Sequence, residues 1–518
     1  MQTGICTNIG NCSKADSSEK LQVPVGGPFV CPECGRELSR VGGPSGNAGR
    51  PAWVVPVVAA LLLIAAGFGI WRFASGRSSS PPSPEPSPVP LASALPSGTQ
   101  TILRLSGSNT IGSKLAPALV EAFLQAQGAQ NLQRVPGAKD EVSIVATLSG
   151  QSSPGAIEIK AHGSKTAFED LGSSKADIGM ASRKIKPEEK TSLASLGDLT
   201  SRASENVLGL DGLAIIVNQS NPLEALPTDK IRDIFTGHIT DWSQVSGSPG
   251  PIQIYARDDK SGTFDTFKEL VLHGVDLASS AKRFEDSAEL SNAVADDVKG
   301  IGFIGMPYIL NAKALKVSEG GSVPLKPTVL TVRTEDYRLS RRLYLYTAAT
   351  PQNTWVRKFI EFSLSDAGQA VVDKTGFVGQ ALTNIPTPEP VAATNLPPDY
   401  QRLIEGAERL PFNFRFKTGS DELDNKASRD LGRLVQFLSD RSYQGRRVIL
   451  LGFADSKGNP ASNLELSRRR ARSVERELQS EGIRVAVAEG FGQELPVAGN
   501  DTEEGREKNR RVEIWLGK

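Results

Sequence analysis

The chain predicts two α/β bodies in series, a large α/β domain opening near Thr101 and a smaller α+β domain of β-α-β-α-β order beyond about residue 400. Three observations predict this. Apolar, strand-like runs end in short Gly/Ser/Thr turns that pass directly into helical periodicity. The composition breaks twice into proline-rich stretches, SSSPPSPEPSPVP and PTPEPVAATNLPP, which cannot join a core and so act as linkers. Beyond the second break, strand and helix patterns alternate to the end of the chain.

Composition narrows the function classes. With 59 Lys plus Arg against 58 Asp plus Glu in 518 residues, the formal charge is +1, so bulk electrostatics argue for neither nucleic acid nor an acidic substrate. Three histidines, His162, His238 and His273, and no cysteine after Cys34 leave the large domains little for a His/Cys metal site or a thiol nucleophile. Many enzyme classes are disfavoured on that ground, and the protein is expected not to be an enzyme.

All four cysteines lie in residues 1–50. Cys31-Pro32-Glu33-Cys34-Gly35 has the spacing of a zinc knuckle, and Cys6 and Cys12 complete a tetrahedral set, so the segment resembles a zinc ribbon with Zn²⁺ as cofactor. The five residues between Cys6 and Cys12 depart from the usual two. Two disulfides or unstructured thiols are the other readings of the same residues; zinc is preferred for a cytosolic segment. Residues 53–73, WVVPVVAALLLIAAGFGIWRF, have the length and apolarity of a single transmembrane helix, flanked by Trp53 and Trp71. Arg36, Arg40 and Arg50 before it favour an uncleaved signal anchor: N-terminus cytosolic, C-terminal domains in the periplasm, the protein held in the cell membrane. Residues 75–99 then form a Pro/Ser linker.

In the large domain, residues 102–105 form a strand leading into Gly107-Ser108-Asn109-Thr110, and a helix follows over 114–127. Residues 157–161 form a second strand ending at Gly163-Ser164. Turns of this kind at strand ends are where open α/β sheets place ligands. Residues 254–273, IYARDDKSGTFDTFKELVLH, repeat the pattern: a strand, the turn Ser261-Gly262-Thr263, and a helix with Phe264, Phe267, Leu270 and Val271 on one face. Its backbone N–H groups and hydroxyls suit an oxyanion, and Arg257 adds a planar donor fork. Taken alone, the same turn is also an ordinary helix cap. Residues 212–218 cross into a second lobe and 328–346 return.

The run from Arg257 through Ser261-Gly262-Thr263-Phe264 resembles the anion loop of the periplasmic phosphate-binding proteins of phosphate ABC transporters, the PstS-like family. Gly107 to Gly112, Gly163-Ser164, Ala176 to Arg183 and IRDIFTGHITDW match further pieces in order, and the likeness extends over about 101–385. The resemblance implies a two-lobed, hinged periplasmic-binding-protein fold over 100–385, with lobe 1 at about 100–205 and 325–385 and lobe 2 at about 206–324. It implies phosphate or a related oxyanion held by Thr110, Ile111, Ser164, Ser182, Arg257, Ser261, Gly262 and Thr263, and an ABC permease as partner. Where some members carry an aspartate that accepts the proton of hydrogen phosphate, this chain has Arg183; Asp258 or Asp259 either serves in its place or only orients Arg257.

After a second linker at 386–399, strands are predicted at 410–416, 447–453, 485–488 and 511–516, with helices at 426–440 and 463–479. The series Gly452, Phe453, Ala454, Asp455 and then Asn463, Leu466, Ser467, Arg470 and Ala471 resembles the OmpA-like peptidoglycan-binding domain over 400–518. The resemblance implies that Asp455 and Arg470, with Asn463, grip the zwitterionic end of diaminopimelate in the wall peptide. The leading expectation is therefore a membrane-anchored receptor that binds phosphate without catalysis and binds the wall. The rivals are a wall-linked sensor or scaffold signalling through the zinc ribbon, and a phosphatase using the same cleft.

Overall fold

A computed structural model describes residues 95–517 apart from 151–152, 246, 260, 383–395, 418–419, 441–442 and 444, together with residues 2–5, 14, 20–23, 29–32 and 38–40. The chain divides into two compact units, Met1–Pro88 and Val89–Lys518. In the first, β1 (Gln2–Ile5), β2 (Lys20–Val23) and β3 (Ser39–Arg40) pair in the order β2-β1-β3, and Cys31 and Leu38 are buried. Cys6, Cys12 and Cys34 lie outside the described residues, as does the 53–73 span.

The single-pass membrane localisation is corrected: among the described residues no helix is long and apolar enough to cross a membrane. Among the described residues the one helix of bilayer-spanning length, the 21-residue Pro460–Ser480, carries Glu465, Arg468, Arg469, Arg472 and Glu475 along it. Charges at that density keep a helix out of hydrocarbon.

The second unit is organised by one long strand. β4 (Gln100–Gly107), β5 (Gln130–Pro136), β6 (Glu141–Thr147), β7 (Gly155–Lys160) and β8 (Ile178–Ala181) build the first lobe, and β9 (Glu205–Val217) leaves it. β10 (Ala225–Pro227), β11 (Gln253–Arg257), β12 (Lys282–Phe284), β13 (Gly300–Gly305), β14 (Lys313–Ala314) and β15 (Lys316–Ser318) belong to the second lobe, and β16 (Ser340–Tyr346) returns. The sheet runs β12-β11-β13-β9-β16-β8-β4-β7-β6-β5. Residues 205–212 of β9 pair with β16, whereas 213–217 pair with β13, so one strand belongs to both lobes. β9 is buried along nearly its whole length, which explains its run of apolar and small residues, broken by Glu205, Asn206 and Asp211.

Each lobe has its own core. Leu119, Phe123, Ile144, Ile159 and Phe359 pack in the first, and Ile234, Phe235, Phe267, Ile301 and Phe303 in the second. The predicted helix at 114–127 is two pieces, a π-turn at Ile111–Leu115 and an α-helix at Ala116–Ala126. Pro117 has no N–H to return to the preceding turn, which favours the wider turn before it.

In the C-terminal domain, β17 (Glu408–Arg415), β18 (Arg447–Gly452), β19 (Val485–Gly490) and β20 (Arg511–Gly517) form a sheet in the order β17-β20-β18-β19. The amphipathic helices Asn425–Leu438 and Pro460–Ser480 cover it, burying Leu434, Leu438, Val474 and Leu478 against Phe412, Phe414 and Leu450. A short helix, Glu503–Asn509, precedes the last strand and was not predicted.

Candidate functional site

Two strand-end turns meet between the lobes. β4 stops at Gly107, where φ is +138° and a Cβ would lie 2.0 Å from the Met180 carbonyl oxygen, so only glycine lets the Ser108–Thr110 turn form there. From the other lobe, Ser261 caps the helix Gly262–Phe267, its hydroxyl accepting from the Thr263 N–H at 3.2 Å. The turns touch: Thr110 Oγ1 donates to the Gly262 carbonyl at 3.2 Å, and a Cβ on Gly262 would sit 2.6 Å from Thr110 Cα. Lys114 Nζ reaches Tyr308 Oη at 3.2 Å nearby, a second contact between lobes. The cleft is closed at this point.

Two cavities flank the Thr110–Gly262 contact. One, of about 540 Å³, is lined by Asn109, Ser164, Ser182, Arg183, Asp265 and Arg341. The other, of about 410 Å³, is lined by Thr110, Lys114, Asp211, Arg257, Ser261 and Thr263. The eight residues expected around the anion therefore fall into two sets. Ser164 and Ser182 bond each other at 3.1 Å in the larger cavity, while Arg257, Ser261 and Thr263 open onto the smaller. The Ile111 side chain belongs to the first-lobe core, which leaves only its backbone to face a ligand.

The electrostatics differ from the expectation in three places. Arg257 is tied into its own lobe, donating to the Glu285 carbonyl at 2.8 Å, the Phe284 carbonyl at 3.3 Å and the Ser287 hydroxyl. Arg183 is paired bidentately with Glu189 at 2.8 and 2.7 Å and lies over the Phe168 ring, so Glu189 offsets its charge, and against the effect of burial the guanidinium and the Lys186 N–H hold the Glu189 carboxyl below the usual range. Arg341 is the third. Buried on β16, it donates to Thr110 Oγ1 at 2.7 Å and to the Gly262 carbonyl at 3.3 Å, one guanidinium bonding the turns of both lobes. Asp211 at 3.4 Å and Glu269 at 3.5 Å balance it. Beside them, the surrounding protein raises the Asp265 carboxyl above the usual carboxylate range, against the pull of Arg341.

The residues expected to hold the wall peptide also lie near one another. Asp455 pairs with Arg510 at 3.0 Å, and Asn463 donates to the Asp455 carbonyl at 3.0 Å. Arg470 lies over the Phe416 ring and donates to the Ser420 carbonyl at 3.3 Å. It is 1 % exposed, and among the described residues its Nε and Nη1 have no partner. Burial lowers its pKa to about 10.

A model of the PBP superfamily domain matches residues 95–367. The chain belongs to the PBP superfamily. A model of the OmpA family matches residues 415–510, so the C-terminal domain is an OmpA-family domain. The PBP domain is 29% identical over 225 residues to the phosphate-binding protein PstS of Staphylococcus haemolyticus, covering 42% of this chain and 69% of that one. To Protein SphX of Synechococcus elongatus it is 32% identical over 236 residues, covering 43% and 68%. An ABC-type phosphate transport receptor from Vibrio cholerae aligns with a TM-score of 0.42 at 23% identity, over 53% of this chain and 99% of that one.

Sequence reasoning missed Arg341 and Asp265 in the PBP domain and Arg510 in the OmpA-family domain. Asp265 sits in the stretch searched most closely, two residues past the Ser-Gly-Thr turn. Arg341 and Arg342 stand out as charges beginning the otherwise apolar strand RRLYLY, which is a legible sign that each face of that strand meets something polar.

Proposed function

We propose that the PBP domain binds phosphate or a closely related oxyanion at the closed Thr110–Gly262 junction, without bond cleavage, and that the OmpA-family domain binds peptidoglycan through Asp455 and Arg470. The observation that carries the reading is the convergence of hydroxyls, backbone N–H groups and the Arg341 guanidinium from two lobes on one junction. Such donors bind a tetrahedral oxyanion without supplying a nucleophile. Relatives named phosphate-binding proteins support the choice of ligand.

Asp265 is the carboxylate best placed to accept the proton of hydrogen phosphate. Asp259 is taken by Arg283 at 2.6 Å, whereas Asp265 opens onto the cavity that holds Ser164 and Ser182. Fully ionised sulfate has no proton to offer it and leaves the acceptor unpaired.

Calorimetric titration of the full chain with phosphate, sulfate and arsenate, after unfolding and refolding to remove carried-over ligand, tests the proposal. Saturable phosphate binding that Arg341→Ala weakens at least tenfold is expected. Asp265→Asn is expected to narrow the preference for phosphate over sulfate. An absence of heat with all three anions would overturn the reading.

A further inference from the structure

The OmpA-family domain does not touch the PBP domain at one place; it holds both lobes. Against the first lobe, Asn425 donates to the Thr200 carbonyl at 2.9 Å and to Glu205 at 3.1 Å. Arg429 donates to the Arg202 carbonyl at 2.9 Å and Asn206 Oδ1 at 2.7 Å, and Lys184 pairs with Glu507. Against the second lobe, the Gly499 N–H donates to Glu319 at 3.1 Å and the Val323 N–H to the Pro496 carbonyl at 3.3 Å. Gly320 is packed so tightly there that a Cβ on it would meet Gly499 Cα at 3.0 Å.

Between these two sets lies the hinge itself. Arg341 and its neighbour Arg342 lie on opposite faces of β16: the first bonds the cleft turns, the second bonds Glu335 at 2.7 and 2.9 Å and Asp424 of the OmpA-family domain at 2.8 Å. Lys508 Nζ donates to the carbonyls of Tyr337, Arg338 and Ser340, where the second lobe passes into β16. Arg409 pairs with Asp336 at 2.7 Å, and Asn413 donates to the same carboxylate at 2.6 Å. Arg342, Glu335, Asp336 and Asp424 are buried, so opening the lobes would strip charges of their partners in the interior.

We propose that the OmpA-family domain is a clamp across the back of the hinge, which holds the two lobes at the closed angle and thereby raises the affinity of the cleft for its anion. A body bonded to both lobes cannot follow their separation without releasing one of them. The consequence for anion affinity rests on the phosphate reading; the clamp itself does not.

The experiment uses the full chain with its four native cysteines replaced by serine and spin labels at Lys139→Cys in the first lobe and Val298→Cys in the second, both exposed positions. Pulsed electron–electron distance measurement is made with and without Asn425→Ala/Arg429→Ala, which releases the first-lobe grip, and with Glu319→Ala, which releases the second. The expected result is one narrow distance in the parent and a broader, longer distribution in both released proteins. Distributions identical in all three would overturn the clamp. Calorimetry with inorganic phosphate on the same proteins is expected to show at least fivefold weaker binding after release. Equal affinity would overturn the effect on the cleft. Absence of phosphate binding in the parent, with the distances responding to release, would overturn the anion reading and leave the clamp established.

Discussion

Gly262 shows how much one missing atom decides. A methyl group there would lie 2.6 Å from Thr110 Cα and 2.8 Å from Thr110 N, both backbone atoms that cannot yield without opening the lobes. Gly262→Ala is therefore expected to cost at least tenfold in anion affinity by calorimetry and, because the lobes are held closed, to lower the thermal midpoint as well. The glycine was legible in the sequence, because a small residue in a Ser-Gly-Thr turn implies close approach. What it approaches was not. Asp265, three residues on, was invisible for a related reason: its significance comes from burial and from Arg341, which the fold brings from distant sequence. Pairings across that distance leave no local periodicity or motif to read.

The strands show the same division between local and distant information. β4, β7, β18 and β20 were legible as apolar runs bounded by turns, and they fall close to the expected residues. β9 extends seven residues upstream of the expected start at 212, because 205–212 are given their strand partners by β16 rather than by any pattern of their own. On β16 the alternation of faces sends Arg342 into a buried network with Glu335 and Asp424. Arg342→Ala would leave two buried carboxylates without their main partner, and breaking such a pair costs roughly 3–5 kcal/mol. A fall of several degrees or more in the thermal midpoint is the expected outcome by scanning calorimetry. The short helix Glu503–Asn509 carries the opposite case, a lysine whose burial lowers its pKa to about 7, with Arg338 and Arg415 repelling it and Glu335 and Glu319 only partly compensating. From pH 7 up to the ordinary 10.5 the unfolded chain binds the proton and the folded chain does not, so this group adds stability as pH rises through that window and adds none below it. The thermal midpoint of the parent relative to Lys508→Met is accordingly expected to climb by several degrees between pH 6 and pH 9; a pH-independent difference would show the lysine to be charged in both states.

For the whole molecule, one loop joins the neighbourhood of Asp455 to the second lobe of the PBP domain. Asn500 accepts from the Ser456 N–H at 3.0 Å beside Asp455, and Gly499 one residue earlier bonds Glu319 of the second lobe. Occupation of the Asp455/Arg470 site by a diaminopimelate-bearing peptide is thus expected to change phosphate affinity, and by reciprocity phosphate is expected to change retention on the wall. Cosedimentation of the full chain with isolated peptidoglycan, with and without saturating phosphate, measures this directly. Arg470→Leu is expected to abolish sedimentation while leaving phosphate binding within about threefold of the parent. The two-domain plan was legible from composition breaks and ordered motifs. The seam was not, since charged residues destined for a buried interface look in sequence like an ordinary solvated surface.

The seam also closes on a pair of glycines, Gly320 against Gly499, where a Cβ on Gly320 would lie 3.0 Å from the Gly499 Cα. Seen through inheritance, that contact is fragile in a useful way. A base change that puts a side chain at Gly320 sets its Cβ against the Gly499 backbone and pushes the domains apart there, away from both cores. A lineage could therefore pass from a clamped to a freely hinged receptor in a single mutational step, and return by its reversion.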